Sequence, residues 1–429
     1  MESLWAQGCM PHFPQLNGDI DTDILIIGGG IAGVLTAYFL HRSGVDCLLV
    51  EKDRICRGVT QNTTAKITAQ HGLCYHKIVN SRGTEIAQKY LHANQSALET
   101  YARLCEQIDC DFERKNNYVY AADRKKLEDE MRALQKIGYP AQWCEDLPLP
   151  LKTAGAVMFP QQAQFHPLKF LAKMAENLHI YENTAVREMV GNTAVTNGGR
   201  IHAKKVIITT HFPFLNKHGS YFLKLYQHRS YVLALEGAQQ VRGMYVDEDQ
   251  TGLSFRNYGD LLLLGGGSHR TGKKGGNWQD LRVFAGIHYP QVQEVACWAT
   301  QDCMSLDSIP YIGQYSRNTP DLYVASGFNK WGMSSAMVAA QLLCDLALGK
   351  KNEWAEVFDP SRSILRPQLF INGWEAMTNL LTPTKKRCPH LGCALHWNEV
   401  ERTWDCACHG SRFSEEGKVL NNPANGDLK

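Results

Sequence analysis

Three glycines near the start of the chain constrain its fold most. Asp23-Ile-Leu-Ile-Ile27 is a short apolar, β-branched run, as a strand buried on both faces should be. Gly28-Gly-Gly30-Ile31-Ala32-Gly33 follows, then Val34 to Arg42 with helical character. Gly28 permits a tight turn, Gly30 lets the backbone approach a pyrophosphate, and Gly33 lets the helix sit close to the strand. The helix start at Ile31 and Ala32 then offers N–H groups and a positive dipole end to phosphates. A second strand-like run from Asp46 to Val50 leads into Glu51 and Lys52. Glu51 stands eighteen residues beyond Gly33, where an acceptor for ribose hydroxyls belongs. Its acid favours an unphosphorylated adenosine ribose, so FAD or NAD over NADP. A ligand-free turn would explain the glycines alone, but not this whole context.

A reductase using both a flavin and a nicotinamide normally carries two such fingerprints. Leu261-Leu-Leu-Leu-Gly265-Gly-Gly267 runs into glycines, but Ser-His-Arg follows where a helix and a third glycine belong. One nucleotide, FAD, is the simpler expectation. The 429 residues suggest two or three domains, and a net charge of +2 gives no bulk field for nucleic acid or an anionic membrane. There is no basic stripe with interleaved aromatics, so no nucleic-acid partner is expected. Ile24–Leu40 approaches the length of a membrane span, but four glycines suit a strand–turn–helix better. Residues 1–20 lack a signal-peptide core. A cytoplasmic protein with no membrane span is expected.

The N-terminal run resembles the D-amino-acid oxidase / glycine oxidase superfamily of flavoenzymes, and later segments extend the likeness. Cys56-Arg-Gly58-Val-Thr60-Gln-Asn-Thr-Thr64-Ala65-Lys66 resembles that family's loop under the flavin. Ile180–Val186 resembles its strand beside the adenine, and Val206–Thr210, including Thr209, the strand returning to the cofactor. Leu306–Gly313 resembles a further family element containing Asp307 and Pro310. Gly327-Phe-Asn-Lys330-Trp331-Gly332-Met333-Ser resembles its last flavin-binding turn, ahead of a helix at Ser335–Leu348. The resemblance implies an α/β fold. A Rossmann-like FAD domain would span 20–82, 151–215 and 301–360, with an inserted α+β, mixed-sheet substrate domain of 83–150 and 216–300. Within the insert, apolar residues at spacings of three and four predict a helix over Thr84–Cys105. Alternation predicts a strand over Phe112–Ala121, a second helix is expected over Lys125–Ile137, and 219–300 reads as strand-rich.

A second motif lies near the C-terminus. Cys388-Pro-His390-Leu-Gly-Cys393 and Cys406-Ala-Cys408-His409-Gly-Ser411 give C-x-H, fifteen intervening residues, then C-x-x-H. Two thiolates and two imidazoles suit either zinc or a two-iron cluster. Zinc sites of this composition usually pair like ligands within a loop, whereas here each loop supplies one Cys and one His. That symmetry suits a cluster with both cysteines on one iron and both histidines on the other. The two loops resemble those of Rieske proteins, implying a [2Fe–2S] cluster on Cys388, His390, Cys406 and His409. By the same resemblance Cys393 and Cys408 form a disulfide, the alternative being two free thiols. Ser411 is expected to donate to a cluster sulfide. Phe413 stands where respiratory Rieske proteins have tyrosine, implying a potential below theirs. The truncated Rieske lobe, 382–429 beyond the linker Leu381–Lys385, is too small to bury much alone and should pack on the flavin domain.

The combination reads as a converter between two-electron and one-electron chemistry. The superfamily implies an amine or amino-acid substrate oxidised by hydride transfer to FAD, with single electrons relayed through the cluster to an external acceptor of unknown identity. The alternatives are a reductase passing electrons through the cluster to a partner, and an electron carrier with a vestigial flavin site. Candidate catalytic residues are Lys66 near the flavin, Lys330 beside reduced-flavin charge, His71 facing the flavin and Arg256 clamping a carboxylate. Their ordinary alternatives are a surface lysine, a helix cap, a turn histidine and a surface arginine. His166 reads as structural, and Trp298, Trp331 and Trp354 as core. Cys303 resembles the flavin-attachment cysteine of sarcosine oxidases but stands too near Asp307, so covalent flavin is not expected.

Overall fold

The structure, a computed structural model, describes residues 2–7, 10–248 and 252–428. Ile24 to Ile27 are buried, so strand Ile20–Ile27 lies inside a sheet rather than at its edge. It pairs in parallel with Cys47–Val50 on one side and Arg200–Ile208 on the other, and Ile27 lies opposite both Val50 and Ile208. Ile180–Tyr181 and Leu322–Ser326 extend this parallel core at its two ends. Helix Ile31–Arg42 covers the sheet beside helix Gly332–Ala347, the two sharing a core through Val34, Leu35, Met337 and Ala340. The second of these helices starts three residues before its expected position.

A second sheet has the order Gln293–Ser305, Leu225–Glu236, Leu261–Arg270, Ser254–Tyr258, Met244–Asp247, Glu113–Tyr120, Ala156–Gln164 and Lys66–Ile67. It is mostly antiparallel, as alternating half-buried strands favour. Strands Lys66–Ile67 and Ala156–Gln164 belong here and pair with each other, although the sequence division assigns both to the nucleotide domain. Helices Thr84–Cys105 and Arg124–Lys136 form where periodicity predicts them, the latter capped by Asp123 accepting from the Lys125 N–H. Helix Trp278–His288 interrupts the stretch read as strand-rich. Its capping box, Asn277 with Asp280, was present in the sequence as a signal.

Helix Pro367–Leu381 leads into a four-stranded antiparallel lobe of Leu395–Asn398, Thr403–Cys406, Arg412–Phe413 and Val419–Asn421. Besides four cysteines, the lobe's buried apolar cluster comprises Leu395, Phe413 and Ala424. The lobe rests against strand Leu225–Glu236, from which Gln227 and Arg229 reach into it. Among the described residues, no helix is long and apolar enough to cross a membrane.

Candidate functional site

The glycine turn is built for close approach on both of its sides. Gly28 has φ of 111°, and a Cβ on Gly33 would lie 1.9 Å from the Gly28 oxygen. Thr209 Oγ1 donates to that same oxygen at 2.9 Å, tying the turn to the returning strand. A Cβ on Gly30 would meet only Thr60 Oγ1, at 3.4 Å, so space lies open in front of it. Thr60 Oγ1 accepts from the Ile31 N–H at 3.0 Å, which brings the loop containing Gly58 under the helix start. Glu51 Oε2 accepts from Gly29 N–H at 2.7 Å and Oε1 from Asp53 N–H at 3.1 Å. Burial raises the Glu51 pKa, opposed by these two bonds. Thr184 N–H donates to the Glu51 carbonyl, so the segment ending at Val186 starts from this acidic corner. Lys52 points outward in an exposed ion pair with Asp53.

At the other end of the molecule the two cysteine–histidine loops meet. The sulfurs of Cys393, Cys406 and Cys408 lie within 4.8 Å of one another, and Cys388 is hydrogen-bonded to Cys406. The His390 and His409 rings stand perpendicular with centroids 4.9 Å apart. Their Nδ1 atoms are buried and have no partner, whereas Nε2 of His390 contacts Asn216 Oδ1 at 3.2 Å and Nε2 of His409 donates to Phe222 O at 2.9 Å. Burial lowers the pKa to about 3 for His390 and about 4 for His409, so both rings are neutral donors. Two orphaned imidazole nitrogens beside a thiol cluster fit a group that takes both sulfur and nitrogen.

The profile of the FAD-dependent oxidoreductase (DAO) family matches residues 23–346, and that of the Rieske [2Fe-2S] domain residues 364–429. The chain belongs to the DAO family. It is an FAD-dependent oxidoreductase with a C-terminal [2Fe–2S] domain. It is 35% identical to a putative Rieske 2Fe-2S iron-sulfur protein, YhfW, of Bacillus subtilis, the match covering 100% of this chain and 97% of that one. It is 50% identical over 42 residues to the cytochrome b6-f complex iron-sulfur subunit 2 of Trichormus variabilis, covering 10% of this chain and 24% of that subunit. Among solved structures, glycine oxidase from Geobacillus kaustophilus has a TM-score of 0.67 at 21% identity, covering 80% of this chain and 99% of that chain. L-proline dehydrogenase from P. horikoshii has a TM-score of 0.67 at 19% identity, covering 82% of this chain and 98% of that chain. These two likenesses concern the fold.

The loop that resembles the family's flavin loop is pinned by Arg256. This residue is fully buried, not on the surface, and its Nη1 donates to the carbonyls of Thr64 at 2.8 Å and Ala65 at 3.0 Å. Its Nε and Nη2 are buried without partners, which fits a polar group arriving at this loop. Lys66 is buried too, its Nζ 3.1 Å from Thr64 Oγ1. Burial, with Arg256 adding repulsion, lowers its pKa to about 7. Trp331, Gly332 and Met333 open the helix Gly332–Ala347, and Gly327 turns at φ of 73° where a Cβ would meet Leu225 at 3.0 Å. Lys330 follows with φ of 73° and bonds Ser268 Oγ. Protein crowding at its ammonium lowers the Lys330 pKa, with Asp302 opposing.

The structure bears on three further expectations. His71 has the environment of the turn histidine, the second of its two readings. Its Nδ1 is 2.6 Å from Tyr90 OH and its Nε2 2.8 Å from both Thr68 O and Ser334 Oγ. Burial lowers its pKa to about 3, and it stacks under Trp331 at 5.1 Å. It is a satisfied positioning residue. Arg256 binds backbone carbonyls and is not a surface arginine. Cys393 and Cys408 carry free thiols in this structure, with their sulfurs within 4.8 Å of each other and of Cys406, and the pairing that the Rieske resemblance implies remains a proposal. Of the remaining cysteines, Cys303 is buried 3.6 Å from Ser326 Oγ, and Cys9 lies outside the described residues.

Several residues at these sites carry no local signal in the sequence. His228 and Asp302, opposite each other on neighbouring strands, feel the charge of Lys330. Burial raises the Asp302 pKa to about 6, against Lys330 and Arg229. Phe212 is fully buried with its ring 6.3 Å from His390 and 6.1 Å from His409, three residues after Thr209. Gln227 Nε2 donates to His409 O at 2.7 Å, Gln301 Nε2 to Gly410 O at 2.7 Å, and Arg270 to Ala407 O at 2.7 Å and Cys408 O at 2.9 Å. The histidine edge of the lobe therefore faces the DAO domain.

Proposed function

We propose that the protein oxidises an amine or amino acid and hands the electrons singly to an external acceptor. FAD supplies hydride acceptance, and the cluster one-electron transfer. In this reading Gly28, Gly30, Gly33 and Glu51 hold the dinucleotide, and Cys388, His390, Cys406 and His409 hold the cluster. The observation that carries it is the seating of the lobe's histidine edge on Phe212, three residues from the Thr209 that braces the glycine turn. The names of the neighbours, an oxidase of glycine and a dehydrogenase of L-proline, support the substrate class. Lys330 offers an ammonium to a substrate carboxylate. Asp302, ionised above about pH 6, takes the proton that a substrate ammonium must lose before its C–H bond breaks as hydride.

The test is anaerobic mixing of the purified protein with a panel of amines and amino acids, with NADH as control. Flavin bleaching by an amine, followed by a reduced Rieske EPR signal, is the expected result. Bleaching by NADH alone would make the protein a reductase feeding its cluster, and bleaching by dithionite alone would discard the amine substrate.

A further inference from the structure

Helix Pro367–Leu381 has its polarity inverted. Gln368, Asn372, Glu375 and Asn379 recur at spacings of four, three and four, and this polar stripe faces the protein. Asn372 accepts from Arg270 at 2.8 Å, Glu375 pairs with Lys273, and Asn379 Oδ1 lies 2.7 Å from His396 Nε2. Phe370, Trp374, Met377 and Leu381 recur at the same spacings on the opposite face. Phe370 is 71%, Trp374 65% and Leu381 77% exposed, with Ile371 and Leu380 exposed on the flanks. A helix on a water-facing surface turns its apolar stripe inward. The reverse arrangement leaves an apolar face that nothing among the described residues covers. The face continues onto the lobe, because Arg387 Nη1 donates to both Leu380 O and Gly392 O, next to exposed Leu391.

Charge identifies the occupant. Between 361 and 398 the single acidic residue is Glu375, already paired with Lys273. Arg366 opens the helix, and exposed Lys385, Lys386 and Arg387 follow its end. Among the described residues no carboxylate pairs with Lys385, Lys386 or Arg387, and the Arg387 guanidinium bonds only carbonyl oxygens. The overall charge of +2 conceals this local excess. An apolar stripe with a tryptophan, bordered by cations, is the composition of a helix that lies in a membrane interface. We infer that helix Pro367–Leu381, with Lys385–Arg387, docks the protein onto an anionic lipid surface without crossing it. This inference stands independently of the substrate and of the direction of electron flow.

The test is co-sedimentation of the full-length holoprotein with vesicles of phosphatidylcholine, with and without phosphatidylglycerol. Binding is expected to the anionic vesicles and to weaken with salt. Lys385→Gln should weaken it about fivefold, following roughly 1 kcal/mol per juxtamembrane cation. The double variant Phe370→Glu, Trp374→Glu should abolish it while keeping flavin absorbance and the cluster EPR signal, which reports that the protein is folded. No binding to either vesicle overturns the proposal, as does binding that survives in the double variant. A dimer in sedimentation velocity that the double variant dissociates, without vesicle binding, would assign the face to a second copy instead.

Discussion

The glycine turn and the cluster lobe are two ways of holding a cofactor site in place. The turn sits in a deep core, and its geometry is set by backbone: Gly33 against the Gly28 carbonyl, with Thr209 bonded to that same oxygen. The lobe has a core of three residues besides its cysteines, too few to hold two loops in register unaided. It takes rigidity from the neighbouring sheet through buried polar groups. Glu401 bridges Arg229 of the sheet and Arg412 of the lobe, with Tyr231 OH donating at 3.1 Å. Burial would raise the Glu401 pKa, but the two guanidiniums more than offset this and hold it low. A large core can position a site with backbone alone, whereas a small one depends on charged side chains from its host.

The contrast is broken most sharply by removing one site without the other. Cys388→Ser or His409→Ala should abolish the reduced Rieske EPR signal and leave flavin absorbance intact. Gly30→Val should do the converse, because its Cβ enters open space and not the strand–helix contact. A surviving signal or unchanged flavin content would overturn the respective assignment. Next, Glu401→Ala should cost about 3–5 kcal/mol at the lobe interface by leaving buried Arg229 without its carboxylate, while Arg412 keeps Asp405 at 3.0 Å. Its readout is faster proteolysis of the lobe and slower cluster reduction, with flavin retained. Gln227→Ala removes bonds to His409 O and Asn422 O and should cost about 1–3 kcal/mol, visible as a smaller change in the same rate. The last effect is spread over pH and concerns Lys66, whose pKa falls from 10.5 to about 7 in the fold. Between those values the unfolded chain holds the extra proton, so stability of the flavin-free protein rises with pH, by up to about 1.4 kcal/mol per unit. Thermal unfolding across that range should show the rise, and Lys66→Met should flatten it.

The glycine turn and the four proposed cluster ligands were legible because each motif is contiguous and its chemistry is written in residue types. The division into layers was less so. Strand Ala156–Gln164 carries Pro160 and three glutamines, which reads poorly as buried sheet. Two of its glutamines are held from afar: Gln162 Oε1 accepts from Ala69 N–H at 2.7 Å, and Gln164 Nε2 donates to Asn257 O at 2.8 Å. Sequence left two readings of His71 open because its partners, Tyr90 and Ser334, are distant in sequence. Phe212, Gln227 and Asp302 were invisible for the same reason. What marks them is the surface that the fold lays against them, and no short motif encodes that.

Strand Leu225–Glu236 carries a further consequence. Gln227 and Arg229 engage the lobe, while His228, between them, feels Lys330 in the turn before helix Gly332–Ala347. Asp302 and Gln301 repeat this division on the neighbouring strand. The pleat thus assigns alternate letters of one short segment to the C-terminal lobe and to the surroundings of Lys330. A one-residue insertion before Gln227 would exchange the two sets at a stroke. Substitution here can therefore retune either neighbourhood alone, but a change of spacing rewrites both.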